Sequence, residues 1–309
     1  MAASCKCMSH SHEDLSARCQ ANPTHQSVSH LTGEVAEITA HPEGTVEMVV
    51  GTLSSGQGHE TSYAQLVGEW LGVRPDCVRL VTGDTDRVRI GASSHSGRSL
   101  RLASITAHRA SGEIVEKGRR IAAYRLEAAE ADIEFSDGRF TVAGTDRSLE
   151  LFTVAAAVRD DPDIPEELRG PLASTGEVMS QVASFPHGVH VCEVEIDPET
   201  GVVEIARYTA VDDVGRAVNP LILHGQTHGG IAQGTGQALF EQCVYDPATG
   251  QLLSGSFMDY AMPRAADLPF FTTAISECHR PLTPWAFAAA ARAASPRRSA
   301  SSSTLLSTR

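Results

Sequence analysis

Between Val46 and Leu71 the chain reads strand, glycine turn, helix, and this run limits what can be built around it. The apolar residues Val46, Met48, Val49 and Val50 make a strand, and Leu66, Val67, Trp70 and Leu71 give the following run a helical apolar face. Between them stands Ser54-Ser55-Gly56-Gln57-Gly58-His59-Glu60-Thr61. Such a turn lets backbone N–H groups approach an anion closely, and the helix N-terminus adds partial positive charge. The Lys-Ser/Thr pair that closes a nucleotide P-loop is missing, so this is a different anion turn or a plain tight connection.

Composition narrows the classes. A chain of 309 residues with 41% hydrophobic and 20% charged content can bury a core and hold one large or two medium domains. A net charge of −13 opposes general nucleic-acid binding. No run has the length of a membrane span, and the first residues lack the basic start and apolar core of a signal peptide. Seven cysteines, an odd number with Cys77, Cys192, Cys243 and Cys278 scattered, read as reduced thiols in a cytoplasmic protein.

The two ends differ from the middle. Residues 1–32, with Cys5, Cys7, Cys19, His10, His12, His25 and His30, fit no closed zinc spacing and read as a disordered or non-native leader. Residues 285–309 are an Ala/Ser/Arg tail without Asp or Glu. In the middle, Glu34–Thr39 and Thr45–Val50 read as a hairpin, and a helix ends near Gly72 before a strand through Val81. A second small-residue loop, Gly91 to Ser99, opens a helix expected to run to about Glu130. Strands flank Asp137-Gly138, Ser148 is expected to cap a helix through Val158, and residues 159–176 read as a surface linker. Two more Asp-Pro turns, Asp197–Gly201 and Asp246–Gly250, enclose a helix from about Pro220 to Phe240. Gly225, Gly229, Gly230, Gly234 and Gly236 weaken that helix by about 1 kcal/mol each relative to Ala, which suits close approach of backbone or ligand.

Gln57, Ser96, Arg98, Ser99 and Gln226 are the polar residues placed around a ligand. Loops that open helices, one bearing an Arg, suit phosphate or pyrophosphate, and Gln offers both donor and acceptor to an oxo group or heterocycle edge. Equally open is a structural role, with Arg98 paired to an acid such as Asp84 and the glutamines capping helices. His59, His95, His187 and His190 are either acid–base groups or hydrogen-bonded structural histidines. No set has metal-ligand spacing, and no Gly-x-Ser-x-Gly elbow supports hydrolase chemistry.

Five blocks together resemble the molybdenum-binding large subunit of the xanthine dehydrogenase, aldehyde oxidase and carbon monoxide dehydrogenase family. They are Ser55–Thr61, His95-Ser96-Gly97-Arg98-Ser99, Asp213–Pro220, His224-Gly225-Gln226 and Ser256-Phe257-Met258-Asp259-Tyr260, in family order over about residues 33–284. The resemblance implies a mixed α/β (α+β) fold, the C-terminal part of the molybdopterin-binding region, in two subdomain parts at residues 33–176 and 177–284. It implies molybdopterin with molybdenum, often as the cytosine dinucleotide. Ser55, Gly56, Gln57 and Gly58 then sit at the cofactor, His95, Ser96, Gly97, Arg98 and Ser99 at its pterin or phosphate part, and Gln226 nearby. It further implies an oxidoreductase that hydroxylates aldehydes or N-heterocycles, passes electrons to iron–sulfur and FAD subunits, and forms dimers of complexes.

The chain departs from the family in length. The half of the molybdenum-binding region that precedes these blocks has no counterpart here. Where the family carries a glycine-rich segment whose Glu is the general base, this sequence has Trp285 to Ala294. If the Ala codons end in G, reading one nucleotide earlier gives Leu-Gly-Val-Arg-Gly-Gly-Gly-Glu-Gly-Gly, so residues 285–309 are expected to be a frameshifted reading. A fragment without that Glu is expected to be inactive alone. The alternative is a non-catalytic molybdopterin-binding or subunit-assembly module.

Overall fold

A computed structural model describes residues 8–9, 33–88, 91, 94, 98–179 and 186–277. The chain divides into two units, residues 23–183 and residues 1–22 with 184–309. Strand β1 (Met8–Ser9) belongs to the second unit.

The first unit is built on a four-stranded sheet in the order β4-β3-β2-β8. Strands β2 (Gly33–His41) and β3 (Thr45–Val50) form the expected hairpin, closed at Gly44 with φ +92°. Strand β3 then runs through the glycine turn and helix α1 (His59–Leu71) into β4 (Val78–Val81), which pairs parallel to β3. The parallel pairing requires a crossover, and α1 supplies it.

Helix α2 (Arg98–Arg125) buries Leu102, Ala103, Thr106, Ala107, Ala110, Ile114 and Ile121. This three- and four-residue spacing puts one apolar stripe toward the sheet, beside Ile38, Val46 and Met48. The helix stops short of the expected Glu130. Glu127 turns left-handed at φ 47°, and the Ala128 N–H returns to the Ala123 carbonyl.

Strands β5 (Ile133–Ser136), β6 (Arg139–Val142) and β7 (Ser148–Glu150) form a small antiparallel sheet around the Asp137-Gly138 turn. Ser148 therefore lies in a strand and does not cap the next helix. Helix α3 (Leu151–Asp160) has Glu150 at its N-cap, and the Leu151 N–H is taken by the Gly138 carbonyl. Residues 172–176 are likewise not linker. Strand β8 (Leu172–Met179) pairs antiparallel with β2 and buries Leu172 and Val178. Gly176 makes this possible, because a Cβ there would meet the Thr106 carbonyl oxygen of α2 at 2.0 Å.

The second unit holds the sheet β1-β9-β10-β11. Strands β9 (His187–Ile196) and β10 (Val203–Asp213) form a hairpin across Asp197–Gly201, where Asp197 Oδ1 accepts the Glu199 N–H at 2.9 Å. Helix α4 (Pro220–Leu239) connects β10 to the parallel strand β11 (Thr272–Ser276). Asn219 caps α4 by accepting the Ile222 N–H at 3.1 Å, with Pro220 at the first helical position. Of the α4 glycines, Gly236 meets a close neighbour, Glu241, whereas Gly225 and Gly229 face open space among the described residues.

Candidate functional site

The glycine turn is held from both sides. Its lead-in carries Thr52, whose hydroxyl lies 3.1 Å from the Tyr63 hydroxyl of α1, both buried. Gly56 and Gly58 adopt φ +103° and +70°, the left-handed region that a side chain resists. Gln57 Oε1 accepts from the Ser55 N–H at 2.6 Å and from Ser55 Oγ at 3.2 Å. A backbone N–H can only donate, so the atom facing it is the amide oxygen, and the Gln57 NH₂ remains as a donor. Gly58 is the N-cap of α1 and places no side-chain acceptor over the first turn. Gln57 thus directly precedes a helix N-terminus without a side-chain cap, a combination suited to an anionic or oxygen-rich ligand.

His59 opens α1. It is 4% exposed and stacks on Tyr63 with ring centroids 4.9 Å apart. Burial pushes its imidazole below the ordinary value against a smaller opposing pull from Glu60, which favours the neutral ring.

The second loop is tied to the first. Ser94 Oγ donates to the Leu53 carbonyl at 2.6 Å, and Ser99 Oγ donates to Ser94 Oγ at 2.9 Å. Arg98 is 5% exposed and donates from Nη1 to Glu34 Oε2 at 3.0 Å and from Nη2 to the Gly33 carbonyl at 2.8 Å. Its acidic partner is thus Glu34 and not Asp84, which accepts the Asp86 N–H. His95, Ser96 and Gly97 lie outside the described residues, as do the leader cysteines and histidines, Cys278 and the tail from residue 278.

In the second unit, Gln226 lies half-buried on α4. A buried network lies on the same helix and sheet. His190 Nε2 is 3.1 Å from Asp212 Oδ1 and its Nδ1 is 3.2 Å from the Tyr208 hydroxyl, while Thr227 Oγ1 donates to Asp212 Oδ2 at 3.1 Å. His187 Nε2 stands 3.7 Å from Asp213 Oδ2. His224 Nδ1 and His228 Nε2 meet the Thr273 hydroxyl at 2.7 and 3.2 Å, tying α4 to β11. Among the described residues, no three His, Cys, Asp or Glu side chains come together as a metal site, and Cys77 and Cys243 are free thiols.

The sequence reading missed Glu34, which is fully buried. The signal was present, since the period of two places Glu34 on the β2 face of Ala36, Ile38 and Ala40, a core position for a carboxylate. Burial raises its pKa to about 7, against the lowering pull of Arg98 and of the Gly51 and Val35 amides.

Comparison with known proteins agrees with this architecture. The molybdopterin cofactor-binding domain family matches residues 15–269. The chain is similar to the 6-hydroxypseudooxynicotine dehydrogenase complex subunit gamma of Paenarthrobacter nicotinovorans, 38% identical over 76% of this chain and 30% of that protein. It is also similar to the carbon monoxide dehydrogenase large chain of Hydrogenophaga pseudoflava, 34% identical over 77% of this chain and 29% of that one. Among solved structures it superposes on the carbon-monoxide-reduced Cu,Mo-CO dehydrogenase with TM-score 0.78 and 32% identity, covering 88% of this chain and 34% of that one. The chain thus spans under a third of the curated relatives it matches, 30% and 29% of their lengths. No described helix is long and apolar enough to cross a membrane. With most of its length matched and a mixed helix–sheet fold shared with the CO dehydrogenase, the chain belongs to the molybdopterin cofactor-binding domain family.

Proposed function

We propose that the chain is the cofactor-holding part of a molybdopterin-dependent hydroxylase large subunit, taking molybdenum on molybdopterin cytosine dinucleotide. The observation that carries this reading is the Gln57 amide, fixed by the Ser55 N–H beside an α1 N-terminus that has no side-chain cap. Those donors fit the phosphate and heterocycle oxygens of such a group. When bound, the group supplies the two-electron oxidation in which oxygen from water is added to an aldehyde or N-heterocycle. Gly56, Gln57 and Gly58 bind it by N–H donation and close backbone approach, while Ser55 holds the Gln57 amide in place. His95, Ser96, Gly97 and Ser99 form the second contact segment, which Arg98 fixes on β2 through Glu34 and the Gly33 carbonyl, and Gln226 adds a further amide. Working electron transfer requires iron–sulfur and FAD subunits, with two such complexes paired. The setting is cytoplasmic, where free thiols persist.

The second reading is a non-catalytic module that holds the cofactor or docks partner subunits, which the same Gln57 amide and uncapped α1 N-terminus would serve. Metal analysis with a dye-reduction assay on aldehydes and N-heterocycles separates the two. Bound molybdenum with turnover supports the hydroxylase, and cofactor without turnover supports the module. A folded chain that takes up no cofactor overturns the hydroxylase and the cofactor-holding module and leaves subunit docking.

A further inference from the structure

We propose that Glu34 is a positioning residue that holds both loops of the candidate site through Arg98, and that Arg98 works on the loop and not on the ligand. Glu34 sits on the buried face of β2, with no side-chain exposure, and Arg98 is 5% exposed, so neither charge is solvated. The guanidinium spans Glu34 and the Gly33 carbonyl, which fixes the first turn of α2 on β2. The next residue, Ser99, continues the tie through Ser94 to the Leu53 carbonyl, in the lead-in of the glycine turn. At the other end of that lead-in, the Gly51 amide acts on the Glu34 carboxylate itself. One buried carboxylate thus serves both sequence blocks.

Stability alone does not explain an ion pair here. A buried pair replaced by apolar residues of similar volume is often as stable or more so, whereas a single truncation strands a buried charge. The pair is better understood as fixing one arrangement of two loops that a purely apolar contact would leave adjustable.

The inference rests on the cofactor reading only for what the loops hold, and two measurements on the full chain keep the two apart. The first is the rate at which a nonspecific protease nicks the folded chain between residues 91 and 99, which follows local opening. The second is calorimetric binding of inorganic pyrophosphate. Glu34→Leu combined with Arg98→Met removes both charges, and Glu34→Gln keeps the shape and Arg98 while weakening a charged hydrogen bond. The double variant should keep the wild-type unfolding midpoint yet be nicked about tenfold faster. Glu34→Gln should be nicked faster and bind pyrophosphate about fivefold more weakly. Unchanged nicking in both variants overturns the brace. Unchanged or tighter pyrophosphate binding in Glu34→Gln overturns the positioning role and makes Arg98 a direct ligand. A wild-type chain that does not bind pyrophosphate counts against the cofactor reading, and the nicking rates then decide the brace alone.

Discussion

Gly91 lies against Gly51 so closely that a Cβ on Gly91 would stand 2.6 Å from the Gly51 Cα and 2.8 Å from its carbonyl oxygen. The obstacle is backbone, so relief requires moving the lead-in of the glycine turn. Gly91→Ala should therefore cost about 1–3 kcal/mol, as overpacking does. Gly112 supplies the contrasting case, in the middle of α2, where a Cβ would meet nothing within 4 Å. Gly112→Ala should stabilise by about 0.5–1 kcal/mol through helix propensity. Chemical denaturation of both variants checks the pair of signs.

Glu34 gives a pH signature. Its pKa rises from the ordinary 4.5 to about 7 in the folded protein, chiefly by burial. The charged groups around it are Arg98 on α2, with Arg101 beside Arg98, and the Tyr63 phenol on α1 feels the Glu34 charge. A raised carboxyl holds a proton that the unfolded chain has already released. Its contribution is full below the unfolded value and is lost as pH climbs through about 7. Thermal midpoints taken from about pH 5 to about pH 8 should fall in the wild type and fall less in Glu34→Gln. Parallel slopes for the two proteins would contradict this.

Asp212 anchors the second unit's polar network, accepting from Thr227 and meeting His190 inside the sheet. Asp212→Ala leaves both partners buried without their acceptor and should cost about 3 kcal/mol. Thr227→Val removes one donor and should cost about 1–2 kcal/mol. Urea unfolding measures both, and equal small losses would show that the network carries little energy.

The strands and turns were legible where local chemistry decides them. Alternation over β2 and β3, the Asp137-Gly138 turn and the Asp197–Gly201 turn each specify their own geometry. What was not legible depended on partners distant in sequence. The Gly138 carbonyl starts α3 in place of Ser148, and β2 recruits residues 172–176 from what looked like linker. At the site, Gly56, Gln57 and Gly58 were readable as a turn. The commitment of the Gln57 oxygen to Ser55 was not, because it depends on a side-chain rotamer. Arg98 was legible as a charge needing a partner, but the choice of Glu34 over Asp84 came from the sheet face on which Glu34 sits.

The most direct test of the account is the pterin content of the purified full chain, produced in a host that makes molybdopterin and read as oxidised-pterin fluorescence per folded chain. The account predicts stoichiometric pterin in the wild type and a loss of about tenfold in Gln57→Ala, with the fold unchanged by circular dichroism, since a fixed donor to a charged group is worth about 1.5–3 kcal/mol. A folded wild-type chain that carries no pterin, or a Gln57→Ala chain that carries as much as the wild type, would contradict it.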